Sequence, residues 1–279
     1  LRPEFTASIV RLLISNGLTQ QLPFKTFYAG PAFRYERPQK GRQRQFHQIG
    51  IETLGADSPA SDVEVIACGM RILKELGLSQ NARLEINTLG DAQSREQYRA
   101  ALVKYFAAHK EKLSPESQTR LEKNPLRILD SKQEEDKVLV AGAPQLAQHL
   151  TEKAADWFTR VQEGLASLDI SAMVSPRLVR GLDYYTHTVW EVKTDALGAQ
   201  DTVLAGGRYD GLVKQMGGPE IPGVGWAAGV ERLALLLETS GKVLAAATPK
   251  AVVIPLADSE EGKALQLTEA LRKRNIRVE

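Results

Sequence analysis

Cysteine is almost missing from this chain. Among 279 residues there is one, Cys68, which excludes an internal disulfide framework and a Cys-rich zinc site. The four histidines, His47, His109, His149 and His187, lie far apart without metal-ligand spacing, so no metal site is expected. No apolar run approaches the length of a membrane span, and no signal peptide is recognisable. A cytoplasmic protein is expected. Charge of one sign is lacking too. The net charge is +2, so any nucleic-acid contact has to come from a local patch such as 37–44. The Gly-x-x-x-x-Gly-Lys-Ser/Thr phosphate loop does not occur, and no dinucleotide fingerprint follows a strand. What remains is ordinary globular composition, 43% hydrophobic and 25% charged, in a chain long enough for more than one domain and a sizeable core.

The chain begins at Leu1 inside an apparent motif and stops at 276–279, where a strand is starting. It reads as a fragment of a longer protein.

The densest signal is FRYERPQKGRQRQFHQIGIE, residues 33–52. An apolar run from Tyr28 to Phe33 leads into Arg34, Glu36, Arg37, Lys40, Arg42 and Arg44, with Pro38 and Gly41 as turn formers. Residues 45–52 then alternate. Phe46, Gln48, Gly50 and Glu52 share one face, His47, Ile49 and Ile51 the other. The isoleucine face suits a core. An aromatic ring, an amide and a carboxylate together suit the wall of a polar pocket. Arg34 presents a planar charged fork suited to a phosphate and to charge developing there, and Phe46 is suited to stacking on a purine. A basic hairpin with a solvated tip is the plainer alternative.

Around this stretch, Ile9, Val10, Leu12, Leu13 and Ile14 predict an amphipathic helix, for which an N-cap is the plainer of two readings of Thr6. Residues 58–77 predict a second helix, capped by Ser61 or Asp62, interrupted at Gly69 and ended by Gly77. Asp62 and Glu64 read as charges matched to the helix dipole. Residues 84–89 alternate as a strand. From about 90 to 168 the texture turns to Lys, Glu, Gln and Ala in amphipathic helical patterns. Strand texture returns at Ser175, with LVRGLDYYTHTVWEVK and the alternating run Thr186 to Lys193. In AGGRYDGLVKQMGG, Gly206, Gly207 and Gly211 permit close approach of backbone or positive φ. PGVGWAAGVERLALLLE reads as a glycine-rich strand entering a helix, with Arg232 at the helix start. From Thr248 a strand of buried type, an amphipathic helix and a second strand start form a βαβ opening.

Four of these segments carry a resemblance. Phe33-Arg34-x-Glu36 with its loop and second strand resembles motif 2 of class II aminoacyl-tRNA synthetases. Residues 37–42, Arg-Pro-Gln-Lys-Gly-Arg, resemble the histidyl-tRNA synthetase family in particular. Arg180-Gly-Leu-Asp-Tyr-Tyr185 is similar to a motif specific to that family, and Gly225-x-x-x-Gly229-x-Glu231-Arg232 resembles motif 3. Leu1-Arg-Pro-Glu-x-Thr-Ala7 resembles the segment that binds the substrate ammonium, with Phe5 where the family often has Gly or Met.

The resemblance implies an α+β fold, a mostly antiparallel sheet flanked by helices. It implies a first catalytic part at 1–89, a helical insertion at 90–170 that can embrace the tRNA acceptor arm, a second catalytic part at 171–246, and from 247 to 279 the start of an α/β anticodon-binding domain. It implies ATP-dependent activation of L-histidine, with magnesium accompanying ATP, then transfer to tRNA(His), in a protein that is a homodimer when full length. Arg34 and Arg180 would be catalytic. Glu4, Thr6, Gln48, Glu52, Arg180, Tyr184 and Tyr185 would bind histidine. Arg34, Glu36, Phe46 and Arg232 would bind ATP, and Arg37, Gln39, Lys40 and Arg42 the tRNA. Two other readings share the fold or the basic loop: a non-catalytic paralogue acting as regulatory subunit of ATP phosphoribosyltransferase, and a nucleic-acid-binding module.

Overall fold

Alternation at 45–52 requires two covered faces and a partner strand on at least one side. The computed structural model, which describes residues 1–129, 131–178, 184–197, 201–241 and 249–279, supplies both. Strands β1 (Phe24–Phe33) and β2 (Gln45–Leu54) form an antiparallel hairpin, Phe24 opposite Leu54 and Phe33 opposite Gln45. They open a seven-stranded sheet with β3 (Arg83–Thr88), β4 (Ala172–Val174), β5 (Thr186–Lys193), β6 (Thr202–Arg208) and β7 (Gly223–Gly229). The spatial order is β1-β2-β7-β6-β5-β3-β4. Only β3 and β4 run parallel; the other neighbours are antiparallel. The fold is α+β, a mostly antiparallel sheet flanked by helices, as the resemblance implies.

One face of the sheet is covered by α2 (Pro59–Glu75) and α6 (Glu152–Ser167). Val65, Ile66 and Leu73 of α2 and Trp157, Val161 and Leu165 of α6 join Ile86, Trp190, Leu204 and Trp226 of the strands in one apolar cluster, with Leu236 of α8 (Val230–Thr239). The other face carries α1 (Thr6–Ser15) and the short α7 (Leu212–Gln215), where Val10, Leu13 and Val213 pack with Tyr28, Tyr185 and Tyr209. A third cluster, Tyr98, Leu102, Phe106, Leu121, Ile128 and Leu139, belongs to the helices α3 (Ala92–Ala107), α4 (Pro115–Lys123) and α5 (Glu134–Ala141) and the turns between them. The helical texture of 90–168 therefore serves two cores: α3 to α5 enclose their own, while α6 lies on the sheet.

Several local expectations are corrected. Thr6 is not an N-cap. Phe5 occupies that position, and the Glu4 carboxylate accepts from the Thr6 and Ala7 amides at 2.5 and 3.1 Å. Helix α2 starts after Ser58, not at Ser61 or Asp62, and runs unbroken through Gly69. That glycine is there for contact, since a methyl group on it would press on Leu204 and Trp226. Asp62 does stand in the first turn of α2, but it is more than a dipole charge. It is fully buried, with Arg208 as its partner.

Contacts divide the chain into two units, Leu1–Ser240 and Gly241–Glu279. In the second, α9 (Glu261–Lys273) and a single parallel bridge, Ala251 with Val278, are what forms of the expected βαβ opening. The segment at 250–256 is not buried here. Ile254 is 72% and Leu256 95% exposed. No described helix is long and apolar enough to cross a membrane.

Candidate active site

The β1–β2 hairpin, the ends of β5 to β7 and the start of α8 enclose a cavity of about 480 Å³, within the usual range for small-molecule sites. Its chemistry is divided between two walls. On one stand Arg34, Arg42 and Arg232, with Glu36 and Phe46. On the other stand Glu4, Thr6, Gln48, Tyr184, Tyr185 and Tyr209.

The arginine wall is built by the hairpin loop and α8. Arg34 follows the last residue of β1. Its Nε donates to the Pro3 carbonyl at 2.9 Å, and its guanidinium lies 5.1 Å from the centre of the Phe46 ring. The loop tip is closed by Gln39 and Arg42, whose backbones exchange hydrogen bonds of 3.0 and 2.9 Å, with Gly41 at φ +72°. That positive φ is what admits the tight return. Arg42 turns back to Glu36 in an ion pair of 2.6 Å. Arg232 donates through Nε to the Gly41 carbonyl at 2.9 Å and through Nη1 to the Thr202 carbonyl at 2.6 Å. Burial, then the charge of Arg42, pull its pKa down. Three guanidinium groups around one cavity repel one another, and a polyanion between them offsets that cost.

The loop residues thus separate. Arg37, Gln39 and Lys40 stay exposed at the tip and do not line the cavity. Arg42, grouped with them in the sequence reading, belongs to the cavity.

The acceptor wall is more buried. Gln48 is 7% exposed, and among the described residues its Oε1 has no partner although it lies at the cavity. A buried amide oxygen left so is an acceptor awaiting a donor. Glu4 stands nearby. The Tyr184 and Tyr185 rings meet at 4.7 Å between centroids, and burial above all pushes the Tyr184 pKa up. Phe5 is accommodated by stacking on Tyr28, with centroids 4.6 Å apart and planes 6° from parallel.

Glu52 sits one layer behind this wall. It is 1% exposed. Its carboxylate accepts from Thr6 Oγ1 at 2.7 Å, from Tyr28 Oη at 3.4 Å and from Tyr209 Oη. The alternation had assigned the correct face but not the depth. Burial pushes the Glu52 pKa from its ordinary 4.5 to about 7, against the three hydrogen bonds that lower it. Between those values the folded chain holds a proton the unfolded chain has lost. Stability should therefore fall as pH rises from about 4.5 to 7, by about 3 kcal/mol in all from this group. Glu52→Gln, which cannot titrate, should remove most of that slope in urea melts across the pH range. An unchanged slope would mean that Glu52 ionises normally.

Tyr209 and Lys132 were not picked out from sequence, yet both line the cavity. Tyr209 follows β6 within the glycine-rich AGGRYDG segment, and that neighbourhood was the available signal. Arg180 and Asp183 lie outside the described residues. Among the described residues there is no group of three or more His, Cys, Asp or Glu side chains able to hold a metal ion.

Comparison with known proteins follows the same line. The family model for histidyl-tRNA synthetase matches residues 1–233. The histidine–tRNA ligase of Rhodospirillum rubrum is 54% identical over 279 residues, an alignment covering 100% of this chain and 66% of that protein. The crystal structure of apo S. aureus histidyl-tRNA synthetase matches with a TM-score of 0.80 at 35% identity, covering 100% of this chain and 68% of that one. A Bacillus halodurans structure described as an ATP phosphoribosyltransferase regulatory subunit/histidyl-tRNA synthetase shares the fold, with a TM-score of 0.63 at 24% identity, covering 100% of this chain and 73% of that one. The chain thus spans 66% of the length of its Rhodospirillum rubrum relative.

Proposed function

Because this chain belongs to the histidyl-tRNA synthetase family, we propose that it carries the site that activates L-histidine with ATP and passes it to tRNA(His). The observation that supports this most is the division of one cavity into an arginine wall and an acceptor wall. Glu4 and the unpaired Gln48 oxygen suit the histidine ammonium, and the tyrosines suit its ring. Arg34, Arg42 and Arg232 suit the triphosphate. Phe46, beside the Arg34 guanidinium, suits stacking on the adenine.

In this reading the histidine carboxylate attacks the α-phosphorus and pyrophosphate leaves. The site needs no acid/base pair, only alignment and charge stabilisation. In this reading Arg34 meets the α-phosphate, and Arg180 joins it by resemblance. Magnesium accompanying ATP would supply neutralising charge at the outer phosphates. The helices α3 to α5 are read as the insertion that approaches the acceptor arm, and 247–279 as the start of an anticodon-binding domain. The full-length protein is read as a cytoplasmic homodimer.

Histidine-dependent ATP–pyrophosphate exchange tests the proposal, run on this chain beside the full-length protein. Exchange in neither would overturn it. The regulatory-subunit reading shares the fold, but a sensor has no use for three arginines around a nucleotide-sized cavity.

A narrower outcome is expected at the hairpin tip. Arg37→Ala with Gln39→Ala should slow transfer to tRNA about tenfold or more while leaving pyrophosphate exchange within about twofold, because such contacts position the nucleic acid and do not touch ATP. Equal losses in both half-reactions would move the tip into the nucleotide site.

A further inference from the structure

Strand β6 ends in Arg208, and Tyr209 follows. Successive strand residues point to opposite faces, and these two do. Tyr209 lies on the cavity side, 1% exposed, with its hydroxyl on Glu52 and its ring 5.8 Å from that of Tyr184. Arg208 lies on the side of α2 and α6, with no exposed surface.

There it uses every nitrogen of its fork. Nε donates to Asp62 Oδ1 at 2.8 Å, and Nη2 donates to Ser61 Oγ at 2.7 Å and to the Ala56 carbonyl at 3.1 Å. Nη1 donates to Asp210 Oδ1 at 3.0 Å. The other oxygen of Asp62 accepts from Trp157 Nε1 at 2.9 Å and from Thr188 Oγ1 at 2.6 Å. The guanidinium also lies 4.7 Å from the centre of the Trp157 ring. Buried pairs of this kind contribute little net stability compared with well-packed apolar groups of the same volume. What they contribute is direction. Each bond in the set is angular, so the end of β6 cannot slide or tilt without breaking several.

We propose that the buried Asp62–Arg208 pair is a positioning device for the amino-acid subsite: it fixes the end of β6 from beneath the sheet and so aims the Tyr209 hydroxyl at Glu52 above it. The proposal rests on the histidine site described above. Arg208 and Asp62 touch no substrate, and their effect on binding passes through Tyr209.

The test combines Asp62→Leu with Arg208→Met, which keeps the volume and removes the directed bonds. Histidine and ATP affinities are read separately by calorimetry on this chain. The double variant should lose at least tenfold in histidine affinity and less than twofold for ATP. Tyr209→Phe should show the same split. Adding it to the double variant should lose little more, because residues acting as a unit are not additive. A folded double variant with normal histidine affinity, equal losses for both ligands, or losses that add would each overturn the proposal. Arg208→Lys, which keeps the charge but not the fork, takes the same test if the double variant does not fold. A readout independent of substrate is 3-fluorotyrosine at position 209. Its fluorine resonance should shift or broaden in Arg208→Lys and in the double variant. An unchanged resonance would overturn the proposal whatever histidine does, and a shifted one in a chain that binds no histidine would put the fault in the substrate reading.

Discussion

Gly225→Ala is expected to abolish histidine binding and to lower the melting temperature by about 5–10 °C, the equivalent of roughly 3 kcal/mol in a unit of this size. Gly225 lies at the centre of the sheet, opposite Glu52 on β2 and Gly207 on β6. A methyl group there would fall on Glu52 Oε2 and the Ile51 carbonyl. Neither neighbour can yield. The carbonyl is backbone in a strand paired on both sides, and the carboxylate is held by Thr6, Tyr28 and Tyr209. Forcing it aside leaves the Thr6, Tyr28 and Tyr209 hydroxyls misaligned. Gly211→Ala is the control, since its methyl would meet nothing nearer than the Gln215 side chain at 3.8 Å. It should melt within a degree or two of the parent. Thermal melts and histidine calorimetry decide the matter. Equal behaviour of the two variants would mean that β7 has slack the geometry does not suggest.

Arg34→Ala should reduce adenylate formation by about two to three orders of magnitude, the loss expected when a charge-stabilising donor is removed from an enclosed site. Arg34→Lys should recover little of it, because a point charge cannot reproduce the planar fork. Part of the effect will appear as a raised KM for ATP, since the same guanidinium lies over Phe46. Most of it should appear in the rate of the chemical step, measured in single turnover at saturating ATP. A variant altered only in KM would reduce Arg34 to a binding residue.

How far the site was legible in the sequence depended on range. The hairpin, β5 and the passage from β7 to α8 could be read from alternation and glycine placement, because those signals are local. Arg34, Gln48, Tyr184 and Arg232 converge on one cavity as expected. Depth could not be read. Alternation put Glu52 on the right face, but only packing decides that Thr6, Tyr28 and Tyr209 stand around it. Partners distant in the chain were equally hidden. Asp62 looked like a dipole charge because its partner Arg208 lies 146 residues away. Thr6 looked like a cap because nothing local says that its hydroxyl belongs to Glu52, 46 residues on. The glycines at 206 and 207 were read as room for a passing backbone, and Gly225 as part of a glycine-rich strand. At 207 and 225 the room is taken by Tyr185 and Glu52 of the same chain.

The strand order has a bearing on synthesis. Strand β2 takes β7 as its inner neighbour, and about 170 residues separate Leu54 from Gly223. At the usual pace of translation, about 5–20 residues per second, the β1–β2 hairpin waits roughly 10 to 30 seconds with that edge unpaired. An open edge carrying isoleucines is a site for pairing with another nascent chain. Helices α3 to α5, with a core of their own, can be made and settled during the wait. The sheet closes only when β7 emerges, so both walls of the cavity are assembled late and together, and a ribosome stalled between them leaves a hairpin exposed and no site at all.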